Sequence, residues 1–471
     1  VNPALQEFKD QMIPRVPDFF YDLGHKEYLV KQTAGDNQRE WVSLNEAQVA
    51  RVLTLCGVRG VKTKNEDMSP VSKLLCDASM SSERTVHYAG PMAGYREGLI
   101  CVGGTRILVT VSPRIIKAEP GDCRTIRAIC EGLLGEGGGV QLPYFYAWLR
   151  LSYLALRAGD TRGMPAIAFC GPKDCGKTFI QQHLITPILG GRMARPYPFM
   201  SGLTSFNGDL FAAEHLAMGD ENPSNDLRSR RRFGAFLKSF VAEEYQQLHD
   251  KFCTARTMRP FWRLTISLND EPENILTLPP YDDSISDKLM LFGARVFEWP
   301  TRVVLPAEKQ AFARQFASEI PAFLSWLCEQ PIPEHVLSQR YTVHAYKCPR
   351  ILNNLVEVSP EFRLLELIKM CFFIEPDTNL TDKEKAYRKR MGEINMTGLD
   401  IERGLTSDDS PVHYEARQLL SGGGRKVPAY LSRLAVRFPQ FITQDRTSTQ
   451  RKWRINSIDS MLASVTGEGN E

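Results

Sequence analysis

No stretch of this 471-residue sequence approaches the ~20 consecutive apolar residues of a membrane-spanning helix, so no membrane partner is expected. Val1 to Asp10 is polar and mixed, without the apolar segment of a secretory signal. The 11 cysteines are scattered and contain no C-x-x-C pair, which argues against a zinc site or a disulfide framework. A reducing cytoplasm, that of a bacterial host cell, is the expected setting. There is no excess of one charge either: 58 Lys and Arg against 55 Asp and Glu leave +3. Bulk charge therefore gives no argument for nucleic acid, and such contacts must rest on local clusters. There is no internal repeat. A hydrophobic content of 43% remains, enough to build cores in two or three domains.

The most informative stretch is Gly171-Pro172-Lys173-Asp174-Cys175-Gly176-Lys177-Thr178, a full match to the phosphate-loop pattern G-x-x-x-x-G-K-[ST]. An apolar run, residues 166–170, precedes it, and Phe179-Ile180-Gln181-Gln182-His183-Leu184 follows. Strand, loop and helix are the context the motif requires. Gly171 and Gly176 let backbone N–H groups turn inward around a triphosphate, and the helix points its positive end at the same anion. Lys177 can reach the β and γ phosphates. Thr178 can offer a hydroxyl to Mg²⁺.

Two further strand ends carry polar residues at the right distance. Glu214 to Gly219 reads as a mostly apolar strand that ends in Asp220 and Glu221. In a P-loop NTPase this is the Walker B arrangement: Asp220 holds Mg²⁺ through water, and Glu221 orients or deprotonates the attacking water. Arg263-Leu264-Thr265-Ile266-Ser267-Leu268 ends in Asn269. An Asn there can bond the γ-phosphate or the lytic water, the role called sensor 1. Taken alone it is a turn former at a strand end.

The order and spacing of these motifs resemble the superfamily 3 helicases of viruses, phages and plasmids, in particular the helicase half of phage and poxvirus-type primase-helicases. Ile188-Leu189-Gly190-Gly191-Arg192, Thr204 to Leu210, Gln247 to Phe252, Arg259-Pro260-Phe261-Trp262-Arg263, Ile285-Ser286-Asp287-Lys288 and Glu319 to Leu327 also resemble that family. The resemblance runs from about His87 to Phe373. It implies an α/β fold: a P-loop (AAA+-like) motor with a parallel sheet and a helical lid. The flanking residues, outside the core of that resemblance, read as a small α+β domain before the motor and a winged-helix-like domain after it. The resemblance implies ATP and Mg²⁺ as cofactors. Single-stranded or forked DNA is the implied partner, within a homo-oligomeric ring, a hexamer. A separate primase or polymerase is a further partner. The role implied is replication of a phage, plasmid or other mobile element.

The expected domains are 1–158 (α+β), 159–305 (motor), 306–375 (helical closing element), 376–410 (charged linker), 411–456 (winged-helix-like) and 457–471 (disordered tail). Residues 1–84 read as mainly helical, clearest over Leu44 to Leu53. Residues 85–116 read as strands and 122–158 as helices again, with a glycine break at 135–139. In the end unit, helices over Val412 to Leu420 and Pro428 to Phe438 precede a hairpin. Arg433 and Arg437 lie on the second helix, the candidate groove reader. A winged helix can equally serve protein contacts.

Between Asn225 and Arg263 nine Lys and Arg face four acids. A solvated helix face explains most such runs. The resemblance places here a β-hairpin that grips DNA, with Lys251, Arg256, Arg259 and Arg263 as contacts and Tyr245, Phe252 and Phe261 as stacking faces. It also implies a cation that serves the neighbouring subunit's nucleotide. The family usually has Arg just before the strand after sensor 1, whereas this chain has Lys288, which lacks the two-pronged donor geometry. Lys288 is the first candidate and Arg295 the second. Residues 1–84 hold no paired-acid primase motif, so primer synthesis is not expected of this chain. A DNA-binding ATPase switch that does not unwind, such as a replication initiator or a defence ATPase, and a small-molecule kinase on the same scaffold remain open alternatives.

Overall fold

The computed structural model describes residues 16–33, 39–80, 83–219, 227–251, 253–275, 277–279, 283–301, 305–357, 359–373, 393–421, 426–446, 451–456 and 458. The chain forms two compact units, Val1–Asn269 with Asp283–Tyr346, and Asp270–Asp282 with Lys347–Glu471.

The first unit opens with strands β1 (Phe19–Asp22), β2 (Glu27–Thr33) and β3 (Arg39–Leu44), an antiparallel meander, and β4 (Thr85–Val86), parallel to β1. Two helices, Glu46–Leu55 and Pro70–Met80, pack against it around Phe19, Tyr28, Val30, Val49, Leu53, Val71 and Leu75. The expectation of mainly helix over 1–84 is thus corrected for the described residues. Phe19-Phe20-Tyr21, Tyr28-Leu29-Val30 and Trp41-Val42 are strong strand formers in runs too short for periodicity to decide. The helix expected near Leu44 to Leu53 is present. Asn45 and Gln48 close its start with a reciprocal capping box.

A second small sheet holds β5 (Tyr88–Gly90), β6 (Gly98–Val102) and β7 (Thr105–Val109) in the order β5-β7-β6. The β6–β7 turn is Gly103-Gly104 with φ of 55° and 80°, the positive values a two-residue hairpin requires. This sheet is tied to the large parallel sheet through Arg192. Its guanidinium pairs with the buried Glu214 (Nε–Oε2 3.0 Å) and donates to Val111 O and Met92 O.

The large parallel sheet comprises β8 (Ala166–Cys170), β9 (Met193–Ala194), β10 (His215–Met218), β13 (Arg263–Leu268) and β14 (Leu289–Gly293). All are parallel, in the order β14-β8-β13-β10-β9. Strands β8, β10, β13 and β14 are buried along their whole length, as parallel strands covered on both faces must be. A separate hairpin, β11 (Gln246–Leu248) with β12 (Arg256–Met258), lies in sequence between β10 and β13. Helices Arg124–Leu134, Leu142–Ala158 and Pro306–Glu329 supply much of the surrounding core, including Trp148, Phe145, Phe316 and Phe323. A short hairpin, β15 (Leu337–Ser338) with β16 (Thr342–Val343), ends the unit.

The second unit contains helices Pro349–Glu357, Pro360–Phe372, Gly398–Thr406, His413–Leu420 and Lys426–Arg437. Its sheet holds β17 (Glu393–Thr397), β18 (Ile442–Arg446) and β19 (Arg451–Asn456), all antiparallel, in the order β17-β19-β18. Trp453, Ile455, Leu431, Phe362 and Leu365 share its core. Residues 393–406, read from sequence as part of a linker, form β17 and a capped helix here, because Ile394, Ile401 and Leu405 are core residues. The basic run Lys383 to Arg390 lies outside the described residues. The stretch read as one closing element, 306–375, divides: helix Pro306–Glu329 belongs to the first unit, and Pro349–Glu357 and Pro360–Phe372 to the second.

Candidate nucleotide site and nucleic-acid interface

The phosphate loop leaves the carboxyl end of β8, next to the ends of β13 and β14, with Leu268 and Gly293 both beside Cys170. The backbone is tight here. A Cβ on Gly171 would stand 2.2 Å from Ala294 O, so only glycine fits. Gly176 has φ 108° and Asp174 φ 59°, which turns the loop back into the helix that starts at Lys177.

Lys177 is buried. Its ammonium donates to Gly171 O (2.8 Å), Pro172 O (2.6 Å) and Asn269 Oδ1 (3.2 Å), and lies 3.7 Å from Cys175 Sγ. The structure thus brings the phosphate-loop lysine and the sensor candidate together, because β8 and β13 are adjacent and parallel. Lys173, Asp174 and Thr178 are exposed around that centre. Strand β10 runs beside β13, Met218 opposite Ile266, and leads to Gly219. Asp220 and Glu221 lie outside the described residues.

Lys288 and Arg295 sit at opposite ends of β14. Lys288 precedes Leu289, at the end away from the phosphate loop, where Ala166 N–H donates to its carbonyl. Its side chain is buried: Nζ donates to Asp287 Oδ1 (2.6 Å) and Ser284 O (3.0 Å) and lies 5.4 Å above the Tyr341 ring. Arg340 donates to the other Asp287 oxygen at 2.8 Å and stacks on the same ring. Arg295 lies at the loop end, just past Ala294. It is exposed, and its Nε donates to Gly132 O (2.8 Å).

The DNA-contact candidates are less uniform than the sequence suggests. Lys251 is exposed in the β11–β12 connection, with its ammonium 5.8 Å from the Phe206 ring. Arg256, on β12, is half-buried against Gly24 in the β1–β2 turn. His25 in that turn bonds Asp22 (2.8 Å) and faces Asp250 at 3.5 Å. Arg259 pairs with Glu244 at 2.8 Å, near the exposed Tyr245.

Arg263 is a correction. It opens the central strand β13 and is 1% exposed. It donates to Ser152 Oγ (3.0 Å) and Trp262 O (2.8 Å) and stacks on Phe261 at 4.2 Å. Burial pushes its pKa down to about 9, against the pull of Asp160. A guanidinium enclosed in this way cannot touch DNA. Phe261 is also fully buried, so it offers no stacking face. Phe252 lies outside the described residues. In the second unit Arg433 pairs with Glu361 and lies over Tyr430, while the Arg437 side chain is not among those described.

Sequence reasoning passed over a buried polar group behind the phosphate loop. Gln181, Thr186, His215 and Thr265 are all buried and mutually hydrogen-bonded. The only sequence hint is Pro187, placed within what reads as a helix.

Neither a protein-family model nor a curated protein matches the sequence. Solved structures do. The A form apo structure of the NrS-1 C-terminal region aligns over 96% of this chain and 98% of that one, at 11% identity and a TM-score of 0.52. A second apo structure of that region aligns over 96% and 97%, at 12% identity and a TM-score of 0.50. The two chains share a fold. The SCCmec type IV Cch helicase aligns over 95% and 93%, at 10% identity and a TM-score of 0.41. The likeness to the NrS-1 region spans both units, whereas the motif resemblance to superfamily 3 helicases is concentrated between residues 166 and 300.

Proposed function

We propose that this chain is an ATP-dependent, ring-forming DNA helicase of the superfamily 3 type that serves replication of a mobile element. The observation that carries the reading is Lys177 hydrogen-bonded to Asn269 at the carboxyl ends of two adjacent parallel strands. A ligand at that edge meets the loop N–H groups, the lysine and the Asn amide together. Strand β10 ends at Met218 beside β13, and Asp220 and Glu221 follow it in the sequence.

Lys177 neutralises charge on the β and γ phosphates. Asn269 orients the γ-phosphate or the attacking water, and Glu221 accepts that water's proton. Thr178, exposed in the first helical turn, and Asp220 have the hard oxygen chemistry that suits Mg²⁺, which would screen phosphate charge. Lys288 lies at the end of the sheet away from its own loop, which supports reading it as the residue that serves a neighbouring subunit; to do so its ammonium has to leave Asp287, a carboxylate that Arg340 shares. The β11–β12 hairpin, with Lys251 at its connection, supplies the grip on single-stranded or forked DNA. In the second unit, the helices followed by a hairpin support the reading of a winged-helix-like domain that contacts nucleic acid through Arg433 and Arg437.

The test is Mg²⁺-dependent ATP hydrolysis together with displacement of a labelled strand from a forked duplex. Hydrolysis stimulated by DNA without strand displacement would replace the helicase by a DNA-binding switch. Hydrolysis indifferent to DNA would remove both.

A further inference from the structure

The helical run 177–188 behind the phosphate loop is not α throughout. Its centre, Ile180–Ile185, is a π-helix, closed by the Thr186 N–H donating to Gln181 O five residues back. Pro187 explains this. It has no N–H to give to His183 O, and its ring would press on that carbonyl in an α-turn, so the wider turn removes the clash. The widened turn directs Gln181 at the sheet.

Four side chains then form a circuit. Gln181 Nε2 donates to Met218 O (3.1 Å) and to Thr265 Oγ1 (2.9 Å). Thr186 Oγ1 donates to Gln181 O at 2.8 Å. The His215 ring spans the two hydroxyls, Nδ1 to Thr186 Oγ1 at 2.7 Å and Nε2 to Thr265 Oγ1 at 2.8 Å. The protons can be assigned by counting. Met218 O only accepts, so the nitrogen of the Gln181 amide must face it. Thr186 spends its single proton on Gln181 O, so toward His215 it accepts, and Nδ1 carries the hydrogen. The bare Nε2 accepts the Thr265 proton, and the Thr265 oxygen accepts from Gln181. The reverse order would aim the Thr265 proton at an amide nitrogen, which cannot accept it. A second proton on His215 would leave two N–H groups and the Thr265 proton in conflict. Full burial acts in the same direction and pushes the imidazole pKa down to about 3.

We propose that Gln181 is a positioning residue for hydrolysis: through a closed circuit with Thr186, Thr265 and His215 in its Nδ1–H tautomer, it fixes the Met218 carbonyl and so the strand end that leads into Asp220 and Glu221. This rests on the reading of those two acids as the hydrolytic pair. The circuit joins the helix behind the phosphate loop, the Walker B strand and the sensor strand, the three elements that must agree on one nucleotide geometry.

The experiment uses the full chain with its 8 histidines ¹⁵N-labelled. In the unmutated protein, long-range ¹H–¹⁵N spectra should show His215 neutral and protonated at Nδ1, with no titration between pH 5 and 8. Its signals should move in Thr265→Val and stay in Thr265→Ser. Gln181→Met has similar volume and no donor. It should lower kcat for ATP at least about tenfold and raise the Mg²⁺ concentration needed for half-activity. Mg²⁺-free nucleotide affinity should stay within about twofold of the original, because the phosphate loop is untouched. Thr265→Ser should keep the rate and Thr265→Val should not. An Nε2–H tautomer, or a histidine that titrates near its ordinary value, would overturn the circuit without needing any variant to fold. A folded Gln181→Met with unchanged kcat and Mg²⁺ dependence would overturn the positioning role. If the unmutated chain hydrolyses no nucleoside triphosphate, the hydrolase reading and the positioning role fall together, and the tautomer spectrum still decides the circuit.

Discussion

Replacing Lys177 by Ala probes the centre of the proposed nucleotide site, and the structure sets the size of the effect. An ammonium has three N–H groups, and here all three are spent, on Gly171 O, Pro172 O and Asn269 Oδ1. To reach the β and γ phosphates, Lys177 exchanges the two loop carbonyls for anionic oxygens and keeps Asn269. A hydrogen bond that involves a charged group contributes about 1.5–3 kcal/mol; the ammonium's bonds to neutral carbonyls belong at the lower end of that range, and its bonds to anionic phosphate oxygens at the upper end. Each exchange is then worth roughly 1.5 kcal/mol, and the pair ~3 kcal/mol, on the order of a hundredfold in Kd. Stability should move little. Among the described residues the buried ammonium has no carboxylate partner, and removing such a charge offsets the loss of a donor for the loop carbonyls. The thermal midpoint should therefore stay within about 4 °C. Calorimetric titration with Mg²⁺ and ATP measures the affinity, and phosphate release measures turnover. A folded Lys177→Ala that binds ATP within about threefold of the original affinity and hydrolyses it at the original rate would refute the site assignment.

Glu221→Gln should keep ATP binding and trap the nucleotide, and mixtures of Glu221→Gln with Lys288→Ala subunits should regain ATPase activity if Lys288 serves a neighbour. Strictly additive inactivity in those mixtures counts against Lys288. Lys251→Ala should keep basal ATPase but lose unwinding, with the log–log salt slope for single-stranded DNA smaller by roughly 0.7. Arg263→Met should leave that slope unchanged, because the guanidinium is enclosed; an equal fall in both variants would falsify the burial argument. His25 gives a pH signature. Burial lowers its pKa, but the Asp22 hydrogen bond and the charges of Asp22, Asp250 and Glu27 outweigh that, and the net shift is upward. A raised folded pKa stabilises fully below the unfolded value near 6.5 and is lost as pH rises through the folded value. The fall in thermal midpoint from pH 6 to pH 8 should therefore be smaller in His25→Gln than in the unmutated chain, and equal falls would sink the assignment of a stabilising His25–Asp22 pair.

The phosphate loop is legible in sequence because its geometry leaves so little choice. Gly171 faces Ala294 O at a distance no Cβ tolerates, and the lysine must follow the second glycine to lie inside the loop. The approach of Lys177 to Asn269 was legible for a related reason. Two buried parallel strands that end in polar residues have one edge at which those residues can meet. Other features depend on which way a side chain turns, and composition does not carry that. Arg259 and Arg263 are the same letter four positions apart in one basic block. Arg259 lies outside the sheet and pairs with Glu244, whereas Arg263 begins the middle strand and is enclosed. A charge count sees two equal cations where the fold makes one a surface group and the other part of the core.

The same distinction governs His215 and Gln181. In sequence they are polar residues in apolar company, the ordinary sign of a turn or a surface. His215 is interior because β10 is covered on both faces, and Gln181 because the π-turn that Pro187 favours faces it toward the sheet. Burial of one polar group then requires the others, since each hydroxyl and ring nitrogen left alone there would cost about 1–3 kcal/mol. A circuit of this kind is stable only when complete. Thr265→Val and Gln181→Met are therefore expected to couple strongly in a double-mutant cycle, whereas Lys251→Ala, on the exposed hairpin connection, should be additive with either. Near-additivity between Thr265→Val and Gln181→Met would mean that the hydroxyl and the amide act separately, and the strand end would then owe its place to the β10–β13 ladder alone.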